Sequence, residues 1–234
     1  MPVNVRYWTP WRPALEYAES LAKGFVVELG PGARPFRPAT EFVGRDITQF
    51  KDGYPGKFTA LCLSSDRLPW ADQSVDFLYC RHTLEDLDNP ALTLSEIRRV
   101  AKAGYIETPS PIAEMCRCPD APLVSGKTPP WRGYHHHRSI LWDDDGVLSV
   151  LAKYPLVEHV TLNEEALVEM LNAGPLYWNT YFSWAGPLEY RVHRHEVDYD
   201  IGFQYGELLD RAMQKSQESA RRFSERTTVA HHPV

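Results

Sequence analysis

The stretch VVELGPGARPF, residues 26–36, places a carboxylate and two closely spaced glycines directly after a run of apolar residues. A short apolar run bounded by glycines predicts a buried strand, and Gly30 and Gly32 allow a ligand to approach the backbone closely. A pyrophosphate would favour positive charge at a helix N-terminus. Here the loop is preceded by Glu28, and Pro35 stands where the dinucleotide fingerprint has its third glycine. The loop therefore favours a cationic cofactor over an anionic one.

The segments around this loop predict the sheet that must position it. Strands alternate with helices or short crossovers, which implies a mostly parallel sheet covered on both faces, an α/β fold of Rossmann-like type. Asn89 followed by Pro90 is a typical helix start, with a capping side chain and then proline at the first helical position. The predicted strands are 25–29, 41–47, 58–63, 74–82 and 105–109, and the predicted helices are 13–23 and 90–103.

The pattern changes after residue 109. A proline-rich segment, 110–135, predicts a long loop or lid. Two further strands, a helix around 163–172, an aromatic hairpin and a polar helix at 203–224 follow. We expect one domain over 1–234, with a cofactor-binding core at 24–111 and an acceptor-side region of loop, strands and hairpin at 112–200. The two further strands are 137–142 and 146–153, and the hairpin joins 177–184 to 188–194.

The composition excludes several classes of protein. A net charge of −6 argues against a nucleic-acid-binding surface. No apolar run reaches the roughly 20 residues that a membrane helix needs, and the N-terminus lacks the apolar core of a signal peptide. Four cysteines in 234 residues do not form a secreted disulfide framework. We therefore expect a soluble protein of a reducing, cytoplasmic compartment, without nucleic-acid or membrane partners.

Three stretches, taken in order, resemble a known family. VVELGPGARPF resembles the nucleotide-binding loop of class I S-adenosylmethionine-dependent methyltransferases, and EFVGRDI looks like their second strand, which ends in an acidic residue. DRLPWADQSVDFLYCRHTLEDLDNPALTLSEIRRVAKAGYIETPSP is similar to the pattern LPF.D.SFD.V...H.LEHL.DP...L.EI.RVLKPGG of their small-molecule, type 11-like branch. The resemblance covers 24–111. It implies S-adenosylmethionine as cofactor and a seven-stranded sheet that ends in an antiparallel hairpin.

The resemblance also implies roles for individual residues. Glu28 would orient the loop and the methionine end of the cofactor, whose sulfonium and ammonium are positive. Asp46 would accept hydrogen bonds from both ribose hydroxyls, and Asp66 would accept one from the adenine amine. The backbone after Asp66 would contact the adenine edge, and His82 would lie near the methyl group. The implied cofactor-binding residues are Glu28, Gly30, Pro31, Gly32, Asp46, Ile47, Asp66, Arg67, Leu68 and His82.

Methyl transfer is an in-line displacement, so positioning of the acceptor supplies most of the catalysis. A hydroxyl acceptor also needs a base, and the family's LEH is LED here, which leaves the base open. His82 and His137 are the predicted catalytic residues. On a strand His135 and His137 would share one face, and His137 would line the acceptor pocket. We expect a small-molecule acceptor, with a sugar or sugar-linked hydroxyl or amine as first choice.

Other readings of the sequence stay open at this stage. A domain that holds the cofactor without turnover would serve as the subunit of a partner, and a nicotinamide-dependent oxidoreductase is disfavoured by the acidic loop. We expect no metal. The one alternative is a loose zinc-like spacing in which two thiols precede two imidazoles, formed by Cys116, Cys118, His135 and His137.

Overall fold

The fold is described by a computed structural model, which covers residues 10–45, 53–117, 131–193 and 201–230. The strands are β1 (Val26–Leu29), β2 (Glu41–Gly44), β3 (Lys57–Ala60), β4 (Phe77–Arg81), β5 (Ala103–Pro109), β6 (Ser139–Asp144), β7 (Val147–Ala152), β8 (Asn179–Ala185) and β9 (Tyr190–His193). Six of them form one sheet, the main sheet, in the order β3-β2-β1-β4-β5-β8, and the other three form a second sheet in the order β6-β7-β9.

The main sheet is parallel except for β8, which runs antiparallel to β5. Its central strands β1 and β4 are buried on both faces, which explains why their sequences are apolar without alternation. The predicted mostly parallel, Rossmann-like α/β fold is therefore confirmed. The helices are α1 (Arg12–Leu21), α2 (Pro90–Val100), α3 (Pro111–Met115), α4 (Glu164–Ala173) and α5 (Ile201–Ala230).

Helices cover both faces of the main sheet. On one face α2 packs Leu94, Ile97 and Val100 into the sheet core. This helix begins as predicted, because Asn89 Oδ1 accepts a hydrogen bond from the Leu92 N–H at 3.3 Å. On the opposite face α1 and the second half of α5 pack against the sheet. Within the described ranges, no helix combines the length and the apolar character needed to cross a bilayer.

The predicted hairpin does not form, and within the described residues the main sheet has six strands rather than the predicted seven. β8 pairs with β5 along its whole length, from Asn179 opposite Pro109 to Ala185 opposite Ala103. A turn at Gly186, whose φ is +85°, then leads the chain away to β9. β9 pairs in parallel with β7 of the second sheet, with Tyr190 opposite Leu148. The two aromatic strands are therefore neighbours in sequence but belong to different sheets.

The prediction of a loop over residues 110–135 is wrong for its first part. Pro111 starts the short helix α3, and Ser110 caps it by accepting a hydrogen bond from the Ala113 N–H at 3.1 Å. All five residues of α3 are buried. Residues 118–130 lie outside the described ranges. α4 confirms the helix predicted around 163–172.

The helix α5 is longer than the predicted 203–224 and touches both sheets. Its first half packs Tyr205, Leu209 and Ala212 into a core shared with β6 and β7. Further along, the Phe223 ring stacks on Tyr181 of β8, with ring centroids 4.4 Å apart. Ion pairs with the turn between β6 and β7 lie between these contacts, namely Arg211 with Asp144, Lys215 with Asp145, and Arg222 with Asp143 and Asp145.

Candidate active site

A cavity of about 1080 Å³ opens at the carboxyl ends of β1, β2 and β4. β1 lies between β2 and β4, so the strand order reverses direction at this point. Open α/β sheets bind their ligands in the crevice at such a switch point. The cavity lining includes Glu28, Gly30, Pro31, Gly32, Gly44, Arg45, Cys62, Leu63, Ser64, Tyr79, Arg81, His82, Thr83, Asp86, Asp88 and Arg138.

The two glycines of the loop after β1 serve different purposes. Gly30 has φ +62°, its N–H donates to Val43 O at 2.8 Å, and a Cβ at this position would overlap the Thr83 side chain. A Cβ at Gly32 would meet no atom within 4 Å. Gly30 is therefore required by the fold, whereas Gly32 leaves the cavity side of the loop open for a ligand. The Tyr54 hydroxyl holds the loop from outside by donating to Pro31 O at 2.9 Å.

Glu28 is a buried carboxyl group in the wall of the cavity. Its side chain sits on β1, the residue is only 4% exposed, and Oε2 accepts a hydrogen bond from the Phe36 N–H at 2.7 Å. Burial raises the pKa of Glu28 to about 8, although the Phe36 N–H and the positive charge of Arg81 oppose the shift. An ionised Glu28 needs additional positive charge nearby, which a cationic ligand in this cavity would supply.

A buried ion-pair network lies beneath the cavity at the ends of β4 and β5. Arg81 Nε donates to Glu107 Oε1 at 2.9 Å, and the Tyr105 hydroxyl donates to Glu107 Oε2 at 2.9 Å. Asn179 of β8 adds a hydrogen bond to Oε1 at 3.1 Å. Burial alone would raise the pKa of Glu107, but Arg81, His82 and Tyr105 outweigh it and lower the pKa to about 2. Glu107 is therefore ionised and links three strands.

His82 lines the cavity in a left-handed backbone conformation, with φ +48°. Its Nδ1 lies 3.3 Å from Glu85 Oε1, and its Nε2 lies 3.6 Å from Glu107 Oε1. Burial alone would lower the pKa of His82, but the two carboxylates raise it above its ordinary value. The neutral imidazole, the form that can act as a base, therefore becomes populated at higher pH than for an ordinary histidine.

The structure places Asp66, Arg67 and Leu68 beside the cavity rather than in its lining. The Asp66 carboxylate accepts hydrogen bonds from the Cys62 N–H at 2.7 Å and from Ser65 Oγ at 3.0 Å, and it closes the turn after β3. The Leu68 N–H donates to a glutamate of α2 at 2.9 Å, and Arg67 is exposed. Residues 62–64 line the cavity from this turn instead. Asp46 and Ile47 lie outside the described residues.

His137 does not reach the cavity directly. The histidine run precedes β6 as a turn rather than forming part of a strand, so His135 is exposed while His137 is buried. His137 Nδ1 lies 2.6 Å from Glu114 Oε1, and its Nε2 lies 3.8 Å from Asp86 Oδ1. Burial alone would lower the pKa of His137, but Glu114 outweighs it and raises the pKa. The expected shared face of His135 and His137 is thus wrong.

Sequence reasoning missed most of the charged residues around the cavity. Arg81 and Glu107 lie in predicted strands and Glu114 lies in the predicted loop, so the sequence gives no signal that they meet at one site. Asp86 is the exception, because it occupies the position where the family pattern has its second histidine. That departure was the available signal, since Asp86 lines the cavity and contacts histidines from a distant loop.

A comparison with protein families gives one match, in which residues 39–106 fit the model described as a methyltransferase domain. The match spans β2 to β5 and includes the turn with Asp66 and the cavity residues His82 and Asp86. In the main sheet, the matched strands β2, β4 and β5 lie with β1 in the order β2-β1-β4-β5, and β8 extends this sheet antiparallel to β5. Residues 39–106 therefore match a methyltransferase domain. The predicted methyltransferase domain is confirmed over these residues, and its cofactor is S-adenosylmethionine.

Several solved structures resemble parts of the chain. The YcgJ protein of Bacillus subtilis is 21% identical over 41% of this chain and 48% of its own, with a TM-score of 0.32. A methyltransferase of Aquifex aeolicus is 18% identical over 42% of this chain and 64% of its own, with a TM-score of 0.32. A chain from the Haloferax volcanii complex of a methyltransferase with the Trm112 activator is 17% identical over 74% of this chain and 87% of its own, with a TM-score of 0.42. The chain thus spans about half the length of the first of these structures. No curated protein matches the chain.

Proposed function

We propose that the methyltransferase domain transfers a methyl group from S-adenosylmethionine to a small-molecule acceptor, of which a sugar or sugar-linked hydroxyl or amine is the favoured class. The observation that carries this proposal is the cavity at the switch point, where a buried carboxyl group and an open glycine loop meet. Its volume of about 1080 Å³ lies just above the range for small-ligand sites, roughly 300–1,000 Å³. It therefore leaves room for an acceptor beside the donor.

In this proposal the cofactor lies across the ends of β1, β2 and β4. Glu28, Gly30, Pro31 and Gly32 hold the methionine part, because they combine negative charge with an open loop. Asp46 and Ile47 bind the ribose. The adenine lies toward the turn that follows β3, where Asp66, Arg67 and Leu68 shape the edge of the site and residues 62–64 provide the lining. These assignments extend the family resemblance to the cavity observed here.

The reaction itself moves one methyl group and, for a hydroxyl acceptor, one proton. The acceptor oxygen attacks the methyl carbon, the carbon–sulfur bond breaks, and its electron pair leaves with the sulfur, which becomes a neutral thioether. His82, on the cavity wall, is the proposed base that takes the hydroxyl proton. His137 is a proposed positioning residue, since it contacts the cavity through Asp86. Because Glu107 and Glu85 raise the pKa of His82, turnover on a hydroxyl acceptor should rise with pH over a range higher than that of an ordinary histidine.

Calorimetric titration tests the cofactor assignment, with S-adenosylhomocysteine and NAD as alternative ligands. We expect saturable binding of S-adenosylhomocysteine and none of NAD; the reverse would overturn the proposal in favour of an oxidoreductase. Methyl transfer from radiolabelled S-adenosylmethionine is then screened against sugars, nucleotide sugars and amines. Binding of the cofactor without transfer to any member of the panel would favour the non-catalytic subunit of a partner.

A further inference from the structure

We propose that Asp86, His136 and His137 form a binding site for one divalent transition-metal ion, such as Zn²⁺, at the acceptor end of the cavity. This assignment departs from the sequence-based expectation of no metal. It also uses residues other than the cysteine–histidine spacing considered there. The geometry alone supports the metal site, whereas its role in methyl transfer rests on the proposed function.

The ligand atoms of these three residues converge on one point. His136 Nε2 lies 3.9 Å and His137 Nε2 lies 3.8 Å from Asp86 Oδ1, and all three atoms lie within 4.8 Å of one another. A tetrahedral ion at about 2.0–2.1 Å from each ligand holds the ligand atoms about 3.3 Å apart. To bind the ion, the two distances to Asp86 Oδ1 therefore shorten by about half an ångström, and the two histidine nitrogens, which lie within 4.8 Å of each other, move closer by at most about 1.5 Å. Asp86 and His136 are half exposed and can rotate to do so.

A second carboxylate fixes the orientation of the buried histidine. Glu114 Oε1 lies 2.6 Å from His137 Nδ1, and both side chains are only 1% exposed. When the Nδ1 proton is donated to Glu114, Nε2 keeps a free lone pair, and Asp86 Oδ1 lies 3.8 Å from that nitrogen. Metal-binding histidines are oriented in this way by a carboxylate behind the ring. Lys153 Nζ holds the other Glu114 oxygen at 2.6 Å and also donates to Tyr134 O at 2.9 Å.

The two segments that supply the ligands are tied to each other and to α3. The Arg138 N–H donates to Glu85 O at 2.7 Å, which joins the histidine turn to the turn that carries Asp86. Gly133 has φ +58°, and a Cβ there would overlap Glu114 of α3. The turn is thus packed so closely on α3 that only glycine fits. Because these contacts already hold the ligands near one another, the site is largely preorganised.

The ligand types indicate which ion binds. Two imidazoles and one carboxylate favour Zn²⁺, Co²⁺, Ni²⁺ or Fe²⁺ over Mg²⁺, which prefers an all-oxygen shell. Three protein ligands leave at least one coordination position open, as in catalytic zinc sites. Asp86 lines the cavity together with Asp88 and Arg138, so the open position can face an acceptor. With the ion bound, His137 is a ligand, and the ion lowers the pKa of a coordinated acceptor hydroxyl, whose proton then passes to His82.

The test measures metal binding on the full chain with any affinity tag removed. Co²⁺ is titrated into chelator-treated protein, and its visible absorption reports coordination. We expect each chain to bind one Co²⁺ ion tightly, and we expect Asp86→Asn and His136→Ala each to lower the affinity for Co²⁺ by at least about 100-fold. His135→Ala and Asp88→Asn are the matched controls, because both residues are neighbours of the site outside the cluster, and they should bind as the native chain does.

A second, conservative variant separates ligation from folding. Glu114→Gln keeps the size of the side chain and should weaken Co²⁺ binding by about 10- to 100-fold without removing the site. The absence of a tight equivalent in the native chain would overturn the metal site, as would an equal loss in His135→Ala and His136→Ala. Titration with S-adenosylhomocysteine, run in parallel, distinguishes this result from failure of the proposed function, since the cofactor loop lies on β1 and needs no metal.

Discussion

The buried Glu28 carboxyl group predicts that cofactor affinity depends on pH. With a pKa of about 8, Glu28 is ionised in about one tenth of ligand-free molecules at pH 7. A sulfonium cofactor binds the ionised form, so binding at pH 7 costs about 1.4 kcal/mol more than at a pH where Glu28 is already ionised. We therefore expect the Kd for S-adenosylmethionine to fall about tenfold between pH 7 and pH 9, with release of about 0.9 proton per site at pH 7.

Isothermal titration in two buffers of different ionisation enthalpy measures both quantities. Glu28→Gln is the control, because it keeps the size of the side chain and the approach of the Phe36 N–H but cannot ionise. The ratio of the native Kd to the variant Kd cancels the effect of pH on the ligand's own amino group, because that effect is the same for both proteins. We expect the variant to bind more weakly than the native chain, with no proton release from this position.

The same group predicts a stability effect of opposite sign. The folded-state pKa of Glu28 lies above its ordinary value of 4.5, so its contribution to stability is complete below pH 4.5 and is lost as the pH rises through about 8. Ligand-free Glu28→Gln should therefore be more stable than the native chain at pH 9, although it binds the cofactor less well. If the native Kd does not change with pH, or if the variant binds as tightly, Glu28 does not face the positive end of the cofactor.

Three further outcomes follow from the site. Gly30→Ala should lower the free energy of unfolding in urea by about 2–4 kcal/mol, because the cost of the left-handed φ adds to the cost of the overlap with Thr83. Gly32→Ala should be as stable as the native chain but should bind S-adenosylhomocysteine more weakly. Equal stability of the two variants would contradict this difference. Glu107→Gln should lower the free energy of unfolding by about 3 kcal/mol at pH 7. The native chain should lose the contribution of Glu107 to stability as the pH falls from 4.5 toward 2, and the variant should not show this loss when both are unfolded in denaturant across that range. Asparagine tolerates the left-handed backbone of residue 82, so His82→Asn should retain cofactor binding but abolish the rise of turnover with pH on a hydroxyl acceptor; an unchanged pH profile would exclude His82 as the base.

The local features of the cofactor site could be predicted from the sequence. The Gly30–Gly32 loop after a buried strand, the Asn89 cap and the helix that follows it all depend on residues within one turn of each other. Such short-range signals survive in any tertiary context. The alternation of strands with helices is compatible with few topologies, because a helix between two strands brings them into the same sheet in parallel. The mostly parallel sheet could therefore be predicted from the sequence.

The partners of strands and charges could not be predicted in the same way. The aromatic pattern of residues 177–194 indicates two strands but carries no information on whether β9 pairs with β8 or with β7. Glu107 and Glu114 look like surface residues in the sequence, because their counter-ions lie at distant positions. Arg81 is 26 residues from Glu107, and Lys153 is 39 residues from Glu114. Only the folded chain brings these charges together.

The long helix α5 has a consequence for the order in which the protein can be assembled. Because α5 follows every strand in the sequence but fills hydrophobic cores on both sheets, neither core is complete while the ribosome is still making the first 200 residues. A nascent chain can pair its strands, yet it must present uncovered aromatic surface to chaperones until this helix emerges and docks. Docking of this helix then completes both cores in one event, so damage to α5 should uncover apolar surface on both sheets.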